Sequence, residues 1–156
     1  MTPYIGTKML LATPMTRGDY NAHRGWTPPE GEDQSVGGHL VQYEDGYQSW
    51  SPDAAFVAYQ PLDAMSFGHA LVMLKQGKKV ARAGWNGKGM WLILVPGTAQ
   101  VEPRAGSAYA LAGIEVCDIL PHIDMWTTNA GGRRAMLPGW LASQSDMLAD
   151  DWTIIE

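Results

Sequence analysis

The sequence offers little from which a disulfide scaffold or a membrane anchor is built. It contains a single cysteine, Cys117, which excludes an internal disulfide framework. It contains no apolar run of about 18 residues, the length that a transmembrane helix requires. Its first residues lack the charged start and apolar stretch of a signal peptide, so none is expected. We therefore expect a protein of the cytoplasm that does not contact a membrane.

Positive charge is also scarce. The chain has 11 lysines and arginines against 16 acidic residues, a net charge of −5. Residues 1–63 hold three basic and eight acidic residues, whereas residues 64–156 hold eight of each. Nonspecific binding to DNA or RNA requires a basic surface, so no nucleic acid polymer is expected as a partner. A small anionic ligand needs only a local pocket and stays open.

The motifs of common enzyme classes are missing as well. A P-loop requires Ser or Thr directly after its lysine, but Gly89 follows Lys88. No Gly-x-Ser-x-Gly element occurs. His122 and Asp124 lie on the same side of one predicted strand, but a third metal ligand at useful spacing is lacking. We expect no metal, no cofactor and no catalytic residue, and we interpret Cys117 as a small buried apolar residue.

Turn signals and hydrophobic periodicity predict an α+β chain of two domains. Residues 1–63 are predicted to form a small β-rich accessory domain with a hairpin at Glu44-Asp45-Gly46. Residues 64–156 are predicted to form an antiparallel sheet that carries one packed helix over Ser66–Gln76. Hairpin-type connections without βαβ spacing favour antiparallel pairing.

The remaining predicted elements follow from local signals. They are a strand at 5–12, a helix at 16–23 capped by Thr16 and stopped by Gly25, a helix from Ser51 to Tyr59, strands at 80–83, 90–95, 115–120, 122–127, 133–137 and 152–155, and a helix at 144–149 capped by Ser143 and Asp146. Residues 97–113 are predicted to be a long ordered loop with one weak strand.

The loop at residues 84–89, which reads Gly-Trp-Asn-Gly-Lys-Gly, carries the densest recognition chemistry. Its glycines allow the backbone to approach another molecule closely. Trp85 offers a flat apolar face, Asn86 both donors and an acceptor, and Lys88 a positive charge. These groups are suited to a base, a sugar and a phosphate. A plain hairpin loop whose tryptophan packs on the core explains the same residues equally well.

Four segments resemble the second Thoeris anti-defence family of bacteriophages. They read Met-Ser-Phe-Gly-His-Ala-Leu from residue 65, Gly-Lys-Lys-Val-Ala-Arg-Ala-Gly-Trp-Asn-Gly-Lys-Gly-Met-Trp-Leu from residue 77, Pro-His-Ile-Asp-Met from residue 121, and Pro-Gly-Trp-Leu-Ala-Ser-Gln-Ser-Asp-Met-Leu-Ala-Asp-Asp-Trp from residue 138. The resemblance covers residues 64–156. The first domain is similar to a phage accessory segment without a known function.

The resemblance implies a sponge that acts in the cytoplasm of the bacterial host. Such proteins bind glycocyclic ADP-ribose, the Thoeris messenger, without cleaving it, and some relatives hold cyclic dinucleotides of CBASS defence at a separate site. It also implies a homo-oligomer, a tetramer, with ligand between subunits. The ligand-binding residues that it carries over are Trp85, Asn86 and Trp140, and less directly Ser143, Gln144, Asp146 and Met147.

The chemistry of these residues agrees with that implication. An adenine stacked on tryptophan gains roughly 1–3 kcal/mol, and Trp85 and Trp140 are expected to sandwich it. Amide and carboxylate groups are expected to contact base edges or ribose hydroxyls, from Asn86, Gln144 and Asp146. The candidates for the phosphates are Lys88, Arg82, Arg133 and Arg134. Trp152 is interpreted as a core residue.

Two other functions stay open from the sequence. One is an enzyme that cleaves a nucleotide signal through His122 and Asp124. The other is a phage module whose loops contact a protein. The fate of a bound ligand separates the first of these from a sponge, because a sponge releases its ligand intact.

Overall fold

The chain folds as two units, Met1–Gln60 and Pro61–Glu156, in a computed structural model that describes residues 1–85 and 89–156. Both units combine short helices with antiparallel strands. This mixture confirms the predicted α+β class. None of the helices described is long and apolar enough to cross a membrane.

The first unit is a three-stranded antiparallel sheet with two short helices. Its elements are β1 (Leu10–Pro14), α1 (Arg17–Arg24), β2 (Gly38–Tyr43), β3 (Gln48–Pro52) and α2 (Asp53–Phe56), and the strand order is β1-β2-β3. The predicted hairpin joins β2 to β3. Gly46 lies in its turn with a φ of 83°, a backbone conformation that glycine adopts without strain.

Local capping signals gave α1 correctly. The Thr16 side chain accepts a hydrogen bond from the Asp19 N–H, and Gly25 ends the helix in the left-handed conformation. Two neighbouring predictions were wrong in their bounds. The first strand begins at Leu10, because Leu10 pairs with Tyr43 and β2 turns away there. Ser51 belongs to β3, where it pairs with His39, so the second helix is shorter than predicted.

The second unit is built on a five-stranded antiparallel sheet. Its elements are α3 (Phe67–Lys75), β4 (Lys79–Arg82), β5 (Trp91–Val95), β6 (Thr98–Val101), α4 (Ala108–Leu111), β7 (Cys117–Ile119), β8 (His122–Thr128), β9 (Arg134–Leu137), α5 (Gln144–Met147) and β10 (Trp152–Ile155). The strand order of the main sheet is β10-β4-β5-β8-β9, and β6 pairs with β7 separately. The predicted antiparallel sheet is therefore confirmed.

The core of the second unit lies between α3 and one face of this sheet. Strand residues alternate between two faces, and Val80, Leu92 and Trp152 point toward the helix and are fully buried. Ala70 and Leu74 of α3 cover them. Trp152 is thus a core residue, as the sequence indicated.

Two details of the second unit differ from the sequence prediction. Residues 97–113 contain α4 in addition to the expected weak strand, and the Ser107 side chain caps it. Helix α5 ends at Met147 and not at Ala149. Both helices span a single turn, a length at which helical periodicity gives no signal.

Candidate functional site

The glycine-rich loop at residues 84–89 follows β4, which ends at Arg82, and Arg82 organises the site. Strand pairing places Arg82 opposite Trp152, on the helix-facing side of the sheet. Its guanidinium lies between two carboxylates. Nε lies 2.7 Å from Oδ1 of Asp151, and Nη1 lies 2.9 Å from Oδ1 of Asp146. The planar guanidinium suits this role, because its donors are fixed in a fork that spans both acceptors.

Asp146 joins the helix α5 to this arginine. It forms a capping box with Ser143, whose N–H and Oγ both donate to Asp146 Oδ2 at 3.1 and 2.6 Å. The other carboxylate oxygen accepts from Arg82 and from the indole N–H of Trp85, at 3.1 Å from Nε1. Asp146 is only 9% exposed, and the four donors compensate for its burial.

Trp85 is fixed at both its side chain and the preceding backbone. The N–H of Gly84 donates to Oδ2 of Asp151 at 2.7 Å, while the indole N–H donates to Asp146. The ring meets Trp152 edge to face at a centroid distance of 5.4 Å and Trp140 at 6.1 Å. Trp85 is therefore partly buried against the core and does not project freely from its loop.

Trp140 is positioned by a turn that is anchored to β8. Gly139 has a φ of 75°, and its N–H donates to Asp124 Oδ1 at 3.1 Å. The N–H of Trp140 then donates to the Ile123 carbonyl at 2.7 Å. His122 lies 3.4 Å from the same Asp124 oxygen, so the predicted pair is brought together. In this structure Asp124 stabilises the turn that precedes Trp140.

The electrostatics of the cluster favour ionised carboxylates. Burial alone would raise the pKa of Asp146, but hydrogen bonds from Ser143, Arg82 and Trp85 outweigh it and lower the pKa from 3.8 to about 2. The hydrogen bond from Arg82 lowers the pKa of Asp151, with a further contribution from the Gly84 N–H. The same two acids raise the pKa of Arg82. One cation between two anions leaves the cluster with a net charge of −1.

A pH series is expected to show this lowered pKa. Because the folded pKa of Asp146 lies below its ordinary value, its contribution to stability is present above about pH 4 and is lost as the pH falls through about 2. The lowering of the Asp146 pKa from 3.8 to about 2 corresponds to roughly 2 kcal/mol in the free energy of unfolding. The measurement is urea unfolding of the parent and of Asp146→Asn between pH 7 and pH 2. The gap between their unfolding free energies should narrow below pH 4, and a constant gap would contradict the assignment.

Gly84 is required because a side chain has no room there. A Cβ at Gly84 would lie 2.7 Å from Asp151 Oδ2, which is held by Arg82 and by the Gly84 N–H itself. Gly84→Ala is therefore expected to lower the free energy of unfolding by about 1–3 kcal/mol. The matched control is Gly68→Ala in α3, where the new Cβ meets nothing closer than 3.8 Å.

The control should keep or raise stability, by up to about 1 kcal/mol, since alanine favours helix. Chemical denaturation followed by circular dichroism compares the two variants. Equal effects of both substitutions would show that the contact between residue 84 and Asp151 is not tight.

The structure brings together some of the predicted ligand residues and separates others. Trp85, Trp140, Ser143 and Asp146 form one cluster. Gln144 and Met147 lie on the exposed side of α5. Asn86 and Lys88, the two other predicted loop residues, lie outside the described residues.

One expectation about the geometry requires correction. The rings of Trp85 and Trp140 are inclined by 66° and meet edge to face, so they do not form the parallel walls of a sandwich. Arg82, a candidate for the phosphates, is engaged by the carboxylates of Asp146 and Asp151 in this structure, so a phosphate would compete with them. The other two phosphate candidates from this region lie at the start of β9. Arg133 is exposed just before this strand. Arg134 lies over the Trp126 ring and donates to the carbonyl of Gly89, the last residue of the glycine-rich loop.

Asp151 is the site residue that sequence reasoning missed. It lies 69 positions from Arg82, and no local motif links them. A signal was nevertheless present. Pairing the last predicted strand with the strand at 80–83 places Arg82 beside the Asp-Asp-Trp at residues 150–152.

Comparison with known proteins found one matching family model and a relative in a bacteriophage. A family model described as the Thoeris anti-defense 2-like domain matches residues 65–155, which lie within the second unit. The protein called Thoeris anti-defense 2 from Bacillus phage SP01 is 35% identical over 103 residues, and the match covers 58% of this chain and 94% of that protein.

Proposed function

The chain belongs to the Thoeris anti-defense 2-like family, and on that premise we propose that this phage Thoeris anti-defence protein binds and sequesters a cyclic nucleotide messenger without cleaving it. The messenger class is that of glycocyclic ADP-ribose. Cyclic dinucleotides of CBASS defence are the second class proposed. The protein acts in the cytoplasm of the bacterial host.

One observation carries the proposal. Trp85 lies 61 positions before Asp146 in the sequence, and the fold brings it into one cluster with Asp146 and Trp140 beside the glycine-rich loop. An indole with an exposed part of its face offers a base a stacking surface. Asp146 already accepts four hydrogen bonds, whereas Asp151, whose side chain is 33% exposed, has a lone pair left to accept a hydrogen bond from a ribose hydroxyl or an exocyclic amine. The net negative charge of the cluster disfavours ligand phosphates beside these carboxylates, and Lys88 stays the sequence-based candidate for contacting them.

The protonation states of the cluster support binding without turnover. A general acid requires a pKa near the working pH. Asp146 and Asp151 have lowered pKa values, and Arg82 has a raised one. All three therefore keep their charges near neutral pH and transfer no proton.

A homo-oligomer, a tetramer, is part of the proposal. Several leucines of the second unit are strongly exposed, with relative exposures of 81% at Leu111, 76% at Leu120, 87% at Leu141 and 81% at Leu148. A contiguous patch of such side chains is typical of an interface, and the proposed assembly requires these leucines to be covered by neighbouring subunits. Light scattering at micromolar concentration should give the mass of four chains. A monomer with and without ligand would contradict the assembly.

A panel of ligands tests binding directly. The purified protein is heated with glycocyclic ADP-ribose, a cyclic dinucleotide, linear ADP-ribose or ATP, and the unfolding temperature is recorded. A specific ligand at a hundred-fold excess over its Kd stabilises by about 2.7 kcal/mol, which raises the midpoint by several degrees. We expect this rise with the cyclic messenger and not with ATP. No rise with any cyclic nucleotide would exclude the sponge and leave the protein-interaction module.

A further inference from the structure

Hydrogen bonds to two carboxylates of the protein itself fix Trp85 in its loop. The indole N–H of Trp85 donates to Oδ1 of Asp146, and that oxygen also accepts from Nη1 of Arg82 at 2.9 Å. One residue earlier, the Gly84 N–H donates to Asp151, which accepts from Nε of the same arginine. Arg82 therefore orients both acceptors that fix the ring and its backbone.

We propose that Arg82 is a positioning residue that acts through Asp146 and Asp151 to fix the orientation of the Trp85 ring before ligand binds. The inference rests on the proposed function in one respect, namely that the ring stacks on the messenger. Asp146, predicted as a ligand contact, becomes a residue that holds another residue in place.

Several features of the cluster support this role. The guanidinium spans both carboxylates at once, with 2.7 Å to Asp151 and 2.9 Å to Asp146, so moving one acid disturbs the other. The Arg82 and Asp146 side chains are 17% and 12% exposed, which protects their hydrogen bonds from water. The edges of Trp140 and Trp152 limit the ring from the sides. A ring held in this way loses little freedom on binding, and preorganisation of that kind raises affinity.

The first test uses the free protein. Arg82→Lys keeps the charge, but a single ammonium cannot span two carboxylates as the guanidinium does. The indole N–H resonance of Trp85, assigned by its loss in Trp85→Phe, is followed by two-dimensional NMR. We expect Arg82→Lys to shift this resonance and to speed its exchange with solvent at least tenfold. Unchanged shift and exchange would overturn the proposal.

The matched control is Arg17→Lys in the first unit. Arg17 pairs with Glu32 at 2.8 Å, so the control breaks a similar contact without touching the second unit's cluster. It should leave the Trp85 resonance unchanged. If Arg82→Lys does not fold, Asp151→Asn replaces it, since it weakens the same clamp while keeping an acceptor oxygen. The same shift and faster exchange are expected there, and their absence counts against the clamp.

The second test is a double-mutant cycle on the affinity for glycocyclic ADP-ribose. We expect Arg82→Lys to weaken binding about tenfold in the parent but less than threefold in the Trp85→Phe background, because phenylalanine has no N–H for Asp146 to hold. Equal losses in both backgrounds would show that Arg82 does not act through Trp85. If the parent binds no messenger, the proposed function fails, and the NMR test alone decides the positioning role.

Discussion

Replacing Trp85 by alanine is expected to lower the affinity for the cyclic messenger by ten- to more than a hundred-fold. The loss of one stacking face costs roughly 1–3 kcal/mol. The structure adds a second consequence that the sequence did not show. The ring packs on Trp140 and Trp152, so its removal also lowers the free energy of unfolding. Affinity must therefore be measured where the variant is still folded.

The measurement is calorimetry with glycocyclic ADP-ribose at a temperature chosen by circular dichroism. Trp85→Phe retains an aromatic face and should lose less affinity than Trp85→Ala. Trp26→Ala is the control, because it removes a half-exposed indole from the first unit and should leave binding unchanged. A folded Trp85→Ala protein that binds as tightly as the parent would show that the loop is not the site.

Asp146→Ala is expected to cause the largest loss of stability, about 3–5 kcal/mol. Removal of one partner from a buried ion pair leaves the other charge uncompensated. Here the substitution removes one of the two carboxylates that pair with Arg82, and it leaves the Trp85 N–H and the first turn of α5 without their acceptor. Such a loss is a large part of the 5–15 kcal/mol by which domains are usually stable.

Urea denaturation at pH 7 measures this effect. Asp150→Ala serves as the control, since Asp150 is an exposed acid in the same segment. Its effect should stay within about 0.5 kcal/mol. A loss below about 1 kcal/mol for Asp146→Ala would mean that the cluster contributes little to the fold.

Features that depend on nearby residues could be predicted from the sequence. The Thr16 cap, the Gly25 stop and the capping box of Ser143 and Asp146 all involve contacts within four positions, and all three are present. The hairpin at Gly46 and the amphipathic helix α3 belong to the same class. The family resemblance, drawn from four separate motifs, is confirmed by the match to residues 65–155.

Features set by distant residues could not be predicted in the same way. The orientation of Trp85 depends on a hydrogen bond to Asp146, 61 positions away. The ion pair of Arg82 with Asp151 joins residues that are 69 positions apart. From its chemistry alone Arg82 was a candidate for a phosphate, whereas the fold pairs it with two carboxylates. It also gave the two indoles a parallel arrangement, although packing against Trp152 turns them edge to face.

The fate of a bound messenger tests the central claim most directly. Glycocyclic ADP-ribose is incubated with excess protein for several hours, the protein is denatured by heat, and the released small molecules are separated and weighed by mass spectrometry. If the protein sequesters the messenger, the concentration of free messenger falls before denaturation, and the whole amount is recovered intact afterwards. Recovery of a cleaved product from the parent protein, but not from the His122→Ala or Asp124→Asn variant, would establish a hydrolase and contradict sequestration.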